Sequence, residues 1–149
     1  MKLLILATAF FVFSFQHAMA LSCTYSPFGD IFNSHRKPDD TYILVLGQLV
    51  NKRAVVPANF GENYTADFIG HMATQSGFDK KIKLTVDVNV ICKTGWCGQV
   101  ALETKILTFL DKTPDGHSFT VGPCRDAWGS GADEGLQQKA LRWWALAGE

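Results

Sequence analysis

Between positions 82 and 90 the sequence alternates without a break. Ile82, Leu84, Val86, Val88 and Val90 fall on one side of an extended chain, and Lys83, Thr85, Asp87 and Asn89 fall on the other. Successive side chains of a strand point to opposite faces, so this stretch specifies a strand with one dry face and one wet face. That contrast belongs to an antiparallel sheet covered on one side. A helix is excluded here, because no 3.6-residue period fits the pattern.

The neighbouring segments extend the same theme. Residues 41–50 (TYILVLGQLV) are almost continuously apolar, which predicts a strand buried on both faces in its middle, with Gly47 marking a bulge or sharp bend. Residues 51–62 hold Pro57, Gly61 and mixed polarity, and read as a loop. Residues 64–69 alternate again, Tyr64, Ala66 and Phe68 against Thr65 and Asp67, and predict a second strand. Residues 71–81 show no deciding period. Residues 99–110 are strand-like and end in Ile106-Leu107-Thr108-Phe109-Leu110. Pro114-Asp115-Gly116 then forms a turn: proline presets φ, aspartate caps, and glycine tolerates positive φ. Residues 119–121 return as the hairpin partner.

The tail changes period. Ser130 or Asp133 can cap a helix, and Leu136, Ala140, Trp143 and Trp144 fall near helical spacing. A helix is expected over 132–146, with both tryptophans packed on the sheet. About five strands and one helix in this length describe a mainly β domain, a small closed or partly open barrel.

The first residues address export. Lys2 precedes an apolar run of 13 residues, 3–15, that Gln16 and His17 interrupt, and Ala18-Met19-Ala20 supplies a small-x-small cleavage site. A membrane-spanning helix needs about 20 apolar residues. Residues 1–20 therefore read as a signal peptide and 21–149 as a single disulfide-bonded domain, secreted or periplasmic, with no membrane span. Cleavage after Ala20 makes Leu21 the first residue; cleavage after Ser22 makes it Cys23. A lipidated Cys23 would instead make the protein an anchored envelope component. Without Lys2 the chain keeps 13 basic residues against 14 acidic ones, so charge offers no reason to expect a nucleic-acid partner.

Cys23, Cys92, Cys97 and Cys124 all follow the signal. An even number in an exported chain implies two disulfides, with three connectivities open. A four-thiolate zinc site is the competing reading, but Cys92 and Cys97 are the one close pair and no second pair matches their spacing.

The residues contain no catalytic constellation. His35, His71 and His117 form no HExxH and no i, i+4 pair, so no metal site is expected. Asp39-Asp40 and Asp133-Glu134 suit a turn and a helix start better than acid–base work. Gly129-Ser130-Gly131 lacks the phosphate-loop pattern, and Ser22, Ser26 and Ser34 lack a nucleophile elbow. No cofactor is implied. The expectation is a non-catalytic binding domain whose partner is another protein, a protease or an envelope component. The segment 51–62 and the turn carrying Trp96 are the candidate surfaces. Trp96, between two cysteines, is either a contact of high intrinsic binding value or a cap on the barrel core.

These residues, taken together, resemble the netrin-type OB fold of the tissue inhibitors of metalloproteinases and their bacterial relatives. The resemblance rests on Cys23-Thr24-Tyr25-Ser26-Pro27, on Phe32-Asn33 ahead of the first strand, on Cys97-Gly98 before a later strand, and on the hairpin leading to Cys124 with Trp128 after it. The turn Cys92-Lys93-Thr94-Gly95-Trp96-Cys97-Gly98 is also similar to that of secreted bacterial proteins of uncharacterised family. The resemblance implies an OB-like antiparallel β-barrel with a C-terminal helix. It also implies an alternative function, inhibition of a metalloproteinase by chelation of its zinc through the N-terminal amine. The inhibitors begin Cys-x-Cys, whereas here Tyr25 stands where the second cysteine would fall if Cys23 is first. If Leu21 is first, nothing pins it, and ordering a loose N-terminus costs roughly 1–2 kcal/mol per residue. With one N-terminal cysteine gone, the resemblance implies that Cys97 pairs with Cys92 and that Cys23 bridges to Cys124, a long loop contributing about 4–5 kcal/mol in the chain-entropy model. Cys23–Cys97 with Cys92–Cys124 remains the alternative pairing.

Overall fold

The computed structural model describes residues 41–58, 61–93, 95–123, 128–130 and 133–147. Residues 1–20, read as a signal peptide, and Leu21, Cys23, His35 and Cys124 lie outside the described residues. The alternating stretch at 82–90 is the second half of a longer strand. In chain order the elements are β1 (Tyr42–Ala58), β2 (Gly61–Thr74), β3 (Gly77–Val90), β4 (Cys92–Lys93), β5 (Trp96–Cys97), β6 (Ile106–Thr113), β7 (Gly116–Val121), β8 (Trp128–Ser130) and α1 (Glu134–Ala147).

Five strands close on themselves in the order β1-β2-β3-β7-β6, with β6 pairing back onto β1, and β8 adds to β6 outside the ring. Every pairing in the ring is antiparallel except β3–β7, which is parallel in the register Val86↔His117 to Val90↔Val121. The closure depends on the length of β1. Its first part pairs with β6 from Tyr42↔Asp111 to Gly47↔Ile106, while the strand pairs with β2 from Val45↔Met72 onward. The expected mainly β fold with a C-terminal helix is therefore present, its sheet closed in a ring, with one parallel pair in an otherwise antiparallel ring.

Two apolar clusters explain the pattern of burial. Inside the ring lie Val45, Leu49, Tyr64, Ala66, Phe68, Val86, Val88, Ile106, Leu110, Phe119 and Val121. Outside it, Leu44 and Leu46 of β1 join Leu107 and Phe109 of β6 under α1, which contributes Ala140 with Leu136, Leu141, Trp143 and Trp144. β1 and β6 are thus dry on both faces where α1 covers them, and this is why 41–50 and 106–110 read as continuous apolar runs. The tryptophans pack as expected, with the Trp144 ring 6.4 Å from that of Phe109. Asp133, not Ser130, caps α1: its Oδ1 accepts the Leu136 N–H at 2.7 Å.

Several expectations change. Residues 51–62 are not a loop: β1 continues to Ala58 and β2 starts at Gly61, making a hairpin arm. Its alternation is hidden by register shifts between Val50 and Arg53 and between Arg53 and Val56. Asn51 and Ala54, within these shifts, hold left-handed φ values of 55° and 48°. Residues 71–81, undecided in sequence, complete β2, turn at Gln75-Ser76 and open β3. Of 99–110, only the part from Ile106 is strand. Gly47 is no bulge, since the register runs through it unshifted to Gly70. A methyl on Gly47 would meet Gly70 Cα at 2.7 Å and Phe68 Cζ at 2.8 Å, so the glycine marks a close approach of two backbones.

Candidate binding surface at one end of the ring

β3 and β7 run parallel and finish together at Val90 and Val121, and the chain after each of them shapes this end of the ring. Past Val90, the Ile91 N–H donates to the Val121 carbonyl at 2.9 Å, and the Gly98 N–H donates to the Ile91 carbonyl at 3.0 Å. Between these bonds the chain leaves the ring and returns as the β4–β5 hairpin, a separate two-stranded sheet. Its two pairs are Cys92↔Cys97 and Lys93↔Trp96. Cys92 and Cys97 are joined by a disulfide, and Gly95, at φ +83°, turns the chain. This pairing agrees with the one implied by the resemblance and removes the alternative in which Cys97 joins Cys23 and Cys92 joins Cys124.

Two glycines let the hairpin sit against the ring. Gly98 lies so close to the Val121–Gly122 backbone that a methyl would be only 2.9 Å from Gly122 C. Gly61, at the start of β2, faces the disulfide, where a methyl would fall 2.9 Å from Cys92 Sγ. The arm of β1 and β2 is fixed here too. Asn63 Oδ1 accepts the Val90 N–H at 2.9 Å, so this side chain ties the arm to β3.

These elements border a cavity of about 510 Å³. Val90, Val100, Leu102 and Val121 give it apolar walls, with the Tyr64 ring, while Lys52, Glu62 and Gln99 bring polar groups. Lys52 Nζ is 2.9 Å from Glu62 Oε2 and 4.5 Å from the centre of the Tyr64 ring. Burial raises the Tyr64 hydroxyl pKa, which keeps the phenol neutral. The 99–105 segment, expected as strand, folds instead around the cavity and is anchored by the Glu103 N–H donating to the Leu49 carbonyl at 2.8 Å. Glu103 holds a left-handed φ of 59° there.

Trp96 does not cap the core. It is 65% exposed at the hairpin tip. Ile91 below the hairpin and Leu102 on the cavity wall are also exposed, as are Val55 and Val56 on the arm. An apolar collection of this kind, with polar neighbours, suits contact with another surface. The titratable groups lining the cavity are Lys52, Glu62 and Tyr64, with the first two paired to each other. Among the described residues no group of three or more His, Cys, Asp or Glu side chains converges, and no helix is long and apolar enough to cross a membrane. His71 lies mid-strand on β2, and His117 in β7 has its pKa lowered by burial and by Lys112.

Sequence reasoning singled out Trp96 and the segment 51–62, which it took for a loop, but missed the cavity. Asn63 and Gly61 gave no distinct signal, because their roles depend on a neighbour 27 and 31 positions away. No family model, curated protein or solved structure matches this chain.

Proposed function

We propose that the chain is an exported, non-catalytic binding domain, secreted or periplasmic, that recognises another protein through the end of the ring carrying Trp96. The observation that carries this reading is the exposure of Trp96 on a hairpin closed by a disulfide. A large amphipathic side chain on a rigid mount loses little entropy on contact, which is the usual character of a binding anchor. The cavity and the exposed Ile91 and Leu102 beside it supply the apolar surround.

A photoreactive amino acid placed at position 96, or at position 115 in the β6–β7 turn at the opposite end, tests the reading in the native host. A discrete adduct from position 96 alone, competed away by unlabelled protein, supports it. Equal labelling from both positions, or none from position 96, removes it.

A second reading, metalloproteinase inhibition through the N-terminal amine, is favoured by one observation. With Cys92 and Cys97 joined, Cys23 has only Cys124 left as an intramolecular partner. Cys124 lies three residues after Val121, a cavity-lining residue. Inhibition of a zinc protease that N-terminal acetylation abolishes would support this reading, and inhibition unchanged by acetylation would exclude it.

A further inference from the structure

The hairpin that carries Trp96 is held differently from the rest of the fold. Each strand of the ring belongs to ladders running over several residues on one or both sides. The β4–β5 hairpin has two residue pairs, and its sheet contains no other strand. Among the described residues of its tip, Lys93, Gly95 and Trp96 are all exposed, so none of them is a buried anchor. A two-stranded ribbon of this length is not stable in water by itself. Beyond the Gly98–Ile91 hydrogen bond at its base, what closes it is the bond between Cys92 and Cys97.

That bond is also reachable from one side. Cys97 lines the open cavity, and Gly61 lies beside both sulfurs, nearer that of Cys92. From this we infer that Cys92–Cys97 is a local redox latch: reduction by a dithiol disorders the Trp96 hairpin and leaves the ring folded. The inference rests on the reading of Trp96 as a contact, and it adds a way of regulating that contact.

The chemistry balances as thiol–disulfide exchange. A thiolate of the dithiol attacks Cys97 Sγ, the bond to Cys92 breaks, and Cys92 leaves as a thiolate that takes up a proton. The reductant's second thiol then attacks its own mixed disulfide and releases Cys97. Two electrons pass from the dithiol to the protein, and the dithiol becomes a disulfide. The reverse exchange restores the hairpin. The ring's ladders use backbone groups and apolar side chains that take no part in either step.

Amide hydrogen exchange on the full mature protein, with and without dithiothreitol, tests the latch, and alkylation with peptide mapping reports which thiols have opened. On reduction, protection across residues 93–98 is expected to fall by about tenfold or more, while the amides of the β1–β2–β3 ladders keep theirs. The double variant Cys92→Ser/Cys97→Ser should show the same pattern without reductant, which separates this bond from any other disulfide in the chain. Unchanged protection at 93–98 in the reduced protein or in the variant overturns the inference. So does a parallel loss of protection throughout the ring. Because the readout is hairpin order and not partner capture, the latch can fail while the adduct at position 96 is still found, and the adduct can fail while the latch holds.

Discussion

Gly47 and Gly70 face each other across β1 and β2, and neither has room for a methyl group because the obstructing atoms include the partner's backbone. Backbone cannot move aside as a flexible side chain would, so Gly47→Ala is expected to destabilise the domain by about 3 kcal/mol, the upper part of the range for overpacking. Urea unfolding of the variant against the parent measures this. On the outer face of β2, Asp67 accepts hydrogen bonds from Arg53 Nη2 at 2.7 Å and from Asn51 Nδ2 at 3.0 Å. These bonds, from Arg53 first and Asn51 next, hold its carboxyl below the usual value. A carboxyl that titrates lower in the folded state than in the unfolded state stabilises in full above about pH 4 and ceases to as pH falls through its folded value. Asp67→Asn should therefore flatten the acid limb of the stability profile, and an unchanged limb in pH-dependent urea melts would exclude this role. Asn51, Arg53 and Asp67 gave no sign of acting together in the sequence. Their meeting is produced by the register shifts that follow Val50.

At the scale of elements, α1 shows how a local signal and a distant surface combine. Its N-terminal cap is local: Asp133 accepts the Leu136 N–H, and the Gln137 N–H bonds to the Asp133 carbonyl. Asp133→Ala should cost about 1 kcal/mol, read as a lower unfolding midpoint with the m-value unchanged. The apolar stripe of the helix was legible as a period, and the sheet-packing of Trp143 and Trp144 followed from it. The strands were legible where one face is wet and the other dry, as in the second half of β3. They were not legible in the arm, where both faces meet water and two register shifts break the alternation. The 99–105 stretch misled in the other direction. Its apolar residues Val100 and Leu102 line a cavity and do not belong to a ladder, and composition does not distinguish those two uses.

For the whole molecule, the pairing of the cysteines decides whether the chain's beginning is tied to its ring. The Cys92–Cys97 bond is made within one hairpin. In the oxidising compartment that the proposed export implies, Cys23 and Cys124 are expected to form the second bond. Non-reducing peptide mapping of the exported protein should give one peptide containing both Cys92 and Cys97 and a second linking Cys23 to Cys124. A peptide linking Cys92 to Cys124 would contradict the fold described here. Intact mass from the same sample fixes the first residue as Leu21 or Cys23 and shows whether Cys23 carries lipid.

Sequence alone determined the class of this protein. Period two at 82–90 required a half-buried strand, and continuous apolarity at 41–50 required one buried on both faces. A change to helical spacing after Asp133 required a terminal helix. Each is a property of neighbouring residues and can be read without knowing the partner. Only the tertiary structure decided how β1 serves two neighbours, that β3 and β7 run parallel, and that Trp96 stands in solvent and not over the core. These outcomes depend on contacts between residues far apart in the chain: Gly47 with Gly70, Asn63 with Val90, Gly61 with the disulfide and Gly98 with Val121. Local pattern constrains which face of an element is dry, but the energy that selects its neighbour appears only when the ring closes.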